Sequence, residues 1–305
     1  MIRIVRLDEM PREEILKREL PAVKAEKAVS EIISDVRENG DEALFRYTER
    51  FDGVSLSSLE VSEEEIQNAV NKVGTSFMSL LSRAAANIRE FHEKQLRTGF
   101  FFTREDGSVL GQRVIPMDRV GVYVPGGTAP LSSTVLMDVI PAKIAGCPEV
   151  IVCTPPGKDG DIAPAVLAAA SVAGADRVFR IGGAQAVAAM AYGTETVPRT
   201  DKIVGPGNVY VAEAKRQVYG AVSIDMIAGP SEILVVSDGE SDPRILAADL
   251  LSQAEHDIPD ADSSSDVRRW CRLSCAPDCA TRTGCRCRQT PRAENSQCSL
   301  KIPWT

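Results

Sequence analysis

The sequence predicts an α/β protein: a mostly helical N-terminal region followed by a parallel sheet covered on both faces. Three observations carry this. Apolar residues within residues 1–98 recur at helical spacing. From Val120 onward, short strand-like runs alternate with helical patterns across tight glycine turns, an order that needs crossover helices and parallel strands. Composition is that of a soluble globular chain, with 44% hydrophobic and 26% charged residues in a length of 305, enough for two domains.

Taken in order, Val29, Ile32, Ile33 and Val36 mark a helix that Gly40 ends. Asp41 is expected to cap the next one, with Leu44, Tyr47 and Phe51 inward. Ser62-Glu63-Glu64-Glu65 reads as a capping box ahead of Ile66 and Val70. Phe77, Leu80, Leu81, Ala84, Ile88 and Phe91 form one apolar stripe of a long amphipathic helix. His92 on that helix reads as a packing or surface residue rather than a catalytic one. Phe100–Thr103 and Val109–Ile115 flank Asp106-Gly107 as a hairpin. Strands follow at Val120–Val124, Val150–Cys153 and Arg177–Ile181, each leading into a helix, at about 132–145, 163–173 and 184–191. In such sheets ligands sit at the carboxyl ends of the strands, where the turns after Val124, Ile181 and Val204 fall. None of these turns is Gly-x-Gly-x-x-Gly, so they fit either a nucleotide site of uncommon type or ordinary tight turns.

Residues 205–256 are the most patterned stretch. Two Gly-Pro turns, Gly205-Pro206-Gly207-Asn208 and Gly229-Pro230-Ser231-Glu232, interrupt apolar sequence. Asn208 opens a helical pattern, and Ile233–Val236 reads as a buried strand. A helix from Asp242 to about His256 carries Gln253 and His256, three apart and so on one face. An amide oxygen and an imidazole nitrogen placed so can hold a metal or a polar ligand. The net charge of −8, with no dense basic patch, argues against a nucleic-acid partner. No apolar run has the length of a membrane span and no signal pattern opens the chain, so cytoplasm is the expected compartment.

Five blocks together resemble the histidinol dehydrogenase family: Val122–Gly127, Ile181–Ala186, Val204–Asn208, Ala228–Glu232 and Gln253–His256. The resemblance runs from about Val5 to Asp257. It implies two incomplete Rossmann-like parallel-sheet units. The helical region and the start of the first unit would occupy 1–119, the second unit 120–232, and the return to the first, with the ligand-bearing helix, 233–257. It also implies two successive NAD-dependent oxidations of histidinol to histidine, through histidinal, in a zinc-bearing homodimer. By similarity Tyr123, Gln185 and Asn208 would contact NAD, and Ser231, Gln253 and His256 would contact histidinol. Gln253 and His256 would also ligate zinc.

Residues 258–305 depart from the family pattern. Arg and Lys outnumber Asp and Glu there by 8 to 5, against 27 to 38 before, and six of the eight cysteines fall there. The cysteine spacing matches no familiar zinc knuckle, and a disulfide module does not suit a cytoplasmic chain. Out-of-frame translation, giving a disordered tail, fits the composition and lost periodicity best. The Glu-His acid–base pair and two further zinc ligands expected in the family are absent, since His92 and His256 are the two histidines. The sequence therefore points to an impaired histidinol dehydrogenase with no catalytic residue of its own to name. The alternative is a non-catalytic nucleotide- or metabolite-binding pseudoenzyme. An aldehyde dehydrogenase is disfavoured, because Cys147 and Cys153 stand in poor positions for a nucleophile.

Overall fold

In the computed structural model, the described residues are 25–126 and 131–227, with Val235, Asp242 and residues 244–247. The chain divides into two compact units, one of Ala22–Gly229 and the other of Met1–Pro21 with Pro230–Thr305. The first unit holds six helices and seven strands among the described residues: α1 (Ala25–Asp52), α2 (Glu63–Glu93), β1 (Phe100–Thr103), β2 (Val109–Gln112), β3 (Arg119–Tyr123), α3 (Ser132–Ile144), β4 (Glu149–Thr154), α4 (Pro164–Ala173), β5 (Arg177–Arg180), α5 (Gly183–Tyr192), β6 (Lys202–Val204), α6 (Val209–Val218) and β7 (Ser223–Ile224).

Strands β3 to β7 form one sheet in the order β5-β4-β3-β6-β7, with every pair parallel. The chain winds outward from β3 in one direction, returns, and winds outward in the other. That is the doubly wound arrangement, with its topological switch between β3 and β6. The pleat sorts the core into two layers. Tyr123, Ile151, Cys153, Phe179 and Ile203 point to one face, packed by Val29, Ile33 and Leu44 of α1 and by α5 and α6. Val120, Val122, Val150, Val152 and Val178 point to the other, packed by Leu81 and Ala85 of α2 and by α3 and α4. The two long N-terminal helices are thus part of the sheet's covering.

The exposed side of β5 is closed by residues 59–61, through Val61 N–H to Val178 O at 2.9 Å and Arg180 N–H to Leu59 O at 2.7 Å. Glu60 locks this with two 2.7 Å bonds from the Arg177 guanidinium. Covering an edge strand removes a template for unwanted pairing.

Several local expectations hold. Gly40 breaks the first helical run with φ 51°, and the Ser62–Glu65 capping box is formed in both directions. The hairpin β1–β2 turns at Asp106-Gly107. Four expectations fail. Asp41 does not cap by its side chain; its carboxylate accepts from the hydroxyls of Thr194 and Thr196, 153 and 155 residues away. Phe51 faces solvent at 51% exposure. Gly74 (φ 79°) breaks α2 just ahead of the stripe, within which Leu80 and Phe91 lie outside the buried face. The inward set is Phe77, Leu81, Ala84, Ala85 and Ile88, on one face of the helix.

In the second unit, Asp242 opens a helical turn at residues 244–247, its carboxylate accepting from Arg244 N–H at 2.9 Å. The rest of the 242–256 helix, the strand expected at 233–236 apart from Val235, and the tail at 258–305 lie outside the described residues.

Candidate functional site

The carboxyl ends of β3, β5 and β6 carry the three residues expected to contact a dinucleotide. Tyr123 is the last residue of β3 and is buried. Its hydroxyl accepts from Gly183 N–H at 3.1 Å, the first residue of α5. Burial pushes the phenol up to about 12; the charge of Asp52 and the Cys153 sulfur add to this, while the Gly183 N–H opposes it. Tyr123 therefore stays neutral and keeps its O–H as a donor.

Gln185 lies two residues further along α5 and is 1% exposed. Its Oε1 has no hydrogen-bond partner among the described residues. Gly183 has φ 64°, and a Cβ there would sit 2.7 Å from this oxygen. Glycine is required both by the backbone and by the space that Gln185 takes.

Asn208 caps α6: its Oδ1 accepts from Tyr210 N–H at 3.0 Å and Val211 N–H at 3.1 Å. The cap leaves the Asn208 amide N–H groups as donors. The turn before it is drawn onto β3, since a Cβ on Gly205 (φ 109°) would meet Tyr123 O at 2.1 Å. Tyr123, Gln185 and Asn208 thus share one sheet edge, flanking the β3–β6 switch, where open α/β sheets take ligands. Two helix N-termini open onto this edge. Each is already satisfied in part, by Tyr123 on α5 and by Asn208 on α6, so these amides are not free for a phosphate.

Ser231, Gln253 and His256 lie outside the described residues. Among the described residues no group of three or more His, Cys, Asp or Glu side chains could hold a metal. His92 lies in the last turn of α2 with its Nδ1 2.7 Å from Gln95 Oε1. Both Cys147 and Cys153 are buried, and burial pushes both thiols up, the opposite of what a nucleophile needs.

Sequence reading missed two features. Asp52, at the end of α1, has a buried Oδ2 without a partner among the described residues, and burial pushes its carboxyl up to about 6. Lys215 on α6 is 2% exposed and pairs with Asp225, just past β7. Asp138 of α3 stands near both; burial first, then Asp225, pushes its carboxyl up to about 7, against the pull of Lys215. No local pattern marks these charges as buried.

The fold and its edge define a doubly wound α/β protein with polar side chains gathered at the switch point. A sequence profile described as histidinol dehydrogenase matches residues 16–265, running past the Asp257 at which the block resemblance ends. The histidinol dehydrogenase of Clostridium acetobutylicum is 54% identical over 231 residues, which is 76% of this chain and 54% of that protein. That of Geobacillus kaustophilus is 55% identical over 232 residues, 76% of this chain and 55% of the relative. A crystal structure of histidinol dehydrogenase from Elizabethkingia anophelis superposes with a TM-score of 0.76 at 42% identity, covering 79% of this chain and 56% of that one. The chain belongs to the histidinol dehydrogenase family. It spans about half the length of the curated relatives it matches.

Proposed function

We propose that this chain carries the nucleotide-holding edge of an enzyme that oxidises histidinol to histidine in two NAD-dependent steps. The observation that carries the reading is the buried Oε1 of Gln185 at the switch-point edge, which has no partner among the described residues. An acceptor kept dry without a donor costs about 1–3 kcal/mol, which a ligand N–H or O–H would recover. The same sheet edge carries the Tyr123 O–H and the Asn208 amide as donors, a set that suits ribose hydroxyls, phosphate oxygens and a carboxamide. These residues would hold NAD. Ser231, Gln253 and His256 would hold histidinol, and the imidazole of His256 with the amide oxygen of Gln253 are donor types that suit zinc. When bound, NAD supplies the hydride acceptor and zinc a Lewis acid that orients the alcohol.

The chain's own residues bind and orient in this scheme. Removing the hydroxyl proton needs a positioned base, worth about 10²–10⁴-fold. Neither histidine of the 305 residues serves: His256 would have its lone pair engaged by metal, and His92 is bonded to Gln95 at the end of α2. A second copy of the chain is the partner we infer, supported by the half-exposed Phe100, Phe101 and Phe102 of the hairpin. Cytoplasm is the compartment we infer. No helix among the described residues is long and apolar enough to cross a membrane.

The test is calorimetric titration of the 305-residue polypeptide with NAD, followed by NADH formation from histidinol with added zinc, beside the Clostridium acetobutylicum relative. Saturable NAD binding with turnover at least about 100-fold slower than the relative is expected. Turnover equal to the relative's would refute the missing-base argument. Absence of NAD binding would refute the nucleotide edge. Binding with no turnover at all would favour the pseudoenzyme.

A further inference from the structure

We infer that Lys215 is a positioning residue for the dinucleotide: it clamps the Gly205–Asn208 turn and so sets where Asn208 stands relative to Tyr123. The inference rests on the NAD reading above. Lys215 lies in the second turn of α6 and is 2% exposed. Its Nζ donates to Gly205 O at 2.9 Å and pairs with the Asp225 carboxylate. The other oxygen of Asp225 accepts from Gly205 N–H at 2.9 Å. Gly205 is therefore held at both of its peptide groups by one ion pair, whose lysine is buried and whose Asp225 side chain is 30% exposed, while its Cα lies against the carbonyl of Tyr123.

Ammonium groups are costly to bury unless charge-paired and hydrogen-bonded. A lysine serving only solubility would sit on the outer face of α6, as its neighbour Arg216 does. Lys215 instead reaches back to a residue ten positions earlier, across Asn208, which caps the same helix. The turn is thus pinned at one end by Lys215 and Asp225 and at the other by the Asn208 cap. Only Pro206 and Gly207 separate the pins, so a shift of Gly205 moves Asn208 with it.

The test is a double-mutant cycle on NAD affinity, with amide hydrogen exchange read on the same proteins. Lys215→Met keeps the aliphatic stem and removes the donors. We expect its NAD Kd to rise about tenfold, and adding Asn208→Ala to raise it no further, since residues acting through one contact are non-additive. Exchange should quicken in residues 205–208 and stay unchanged in β3 and β4. Lys215→Met/Asp225→Asn leaves no unpaired charge and should give the same pattern if the single variant folds poorly. The wild-type chain provides a measurement without substitution: NAD should slow amine acetylation of Lys215 about tenfold, leaving the exposed Lys72 unaffected. Additive effects of Lys215 and Asn208, or an NAD Kd unchanged in Lys215→Met, would overturn the clamp while leaving the nucleotide reading intact. Acetylation of Lys215 indifferent to NAD in a chain that binds it would do the same. No NAD binding by the wild type would overturn both.

Discussion

Gln185→Leu should make the protein more stable and a poorer binder of NAD. The side chain is 1% exposed and its Oε1 has no partner among the described residues. Leaving such an acceptor unsatisfied costs about 1–3 kcal/mol, and leucine fills nearly the same volume without it. Some of that gain is lost because a branched side chain does not have the shape of the amide it replaces. We expect a net gain of about 1–2 kcal/mol without NAD. With a urea m-value of about 2 kcal/mol/M, the midpoint should rise by roughly 0.5–1 M at unchanged m. The same substitution removes the acceptor offered to the ligand, so NAD Kd should rise about tenfold, equal to about 1.4 kcal/mol. Urea titrations with and without saturating NAD measure both terms on one instrument. A lower midpoint without NAD would mean that the amide is needed for packing, and the orphaned-acceptor argument would fail. A higher midpoint with unchanged NAD affinity would detach Gln185 from the ligand.

Two further substitutions test the surroundings of the edge. Asp138 is protonated in the folded chain up to about pH 7, against an ordinary value of 3.8. The folded state then holds a proton that the unfolded state releases, so its contribution is full below about pH 4 and is lost as pH rises to about 7. Asp138→Asn should match the wild type near pH 4 and exceed it at pH 8 by up to about 4 kcal/mol, read as the difference between two urea midpoint series. Parallel pH profiles would contradict the assignment. Gly205→Ala should cost about 3 kcal/mol or more, because φ 109° disfavours any side chain and the new methyl meets Tyr123 O. A melting temperature within a degree or two of the wild type would show that the turn can move away from β3.

Much of the architecture was legible because period-3.6 and period-2 patterns report burial directly. The strand–turn–helix alternation from Val120 to Val218 placed every strand of the sheet's long members within a residue or two. The capping box at Ser62 and the Asn208 cap are local chemistry, readable from four consecutive residues. The residue types at Tyr123, Gln185 and Asn208 were singled out by family resemblance, since each on its own is an ordinary turn or helix residue.

Tertiary structure decided what depends on contacts between distant segments. Strand order is one such matter: the alternation allows several windings, and only the pairing of β3 with both β4 and β6 puts the switch beside Tyr123 and Gly205. Burial of charge is another. Lys215 and Asp138 sit in patterns that suit a solvated helix face, and their neighbours come from elements ten to eighty-seven residues away. Asp41 was misread for the same reason, because Thr194 and Thr196 outcompete the local backbone for its carboxylate. By itself the sequence determined the elements and the family, through spacing and composition carried on neighbouring residues. The fold alone determined which polar groups are dry, because desolvation depends on everything packed around a group and not on the residues beside it in the chain.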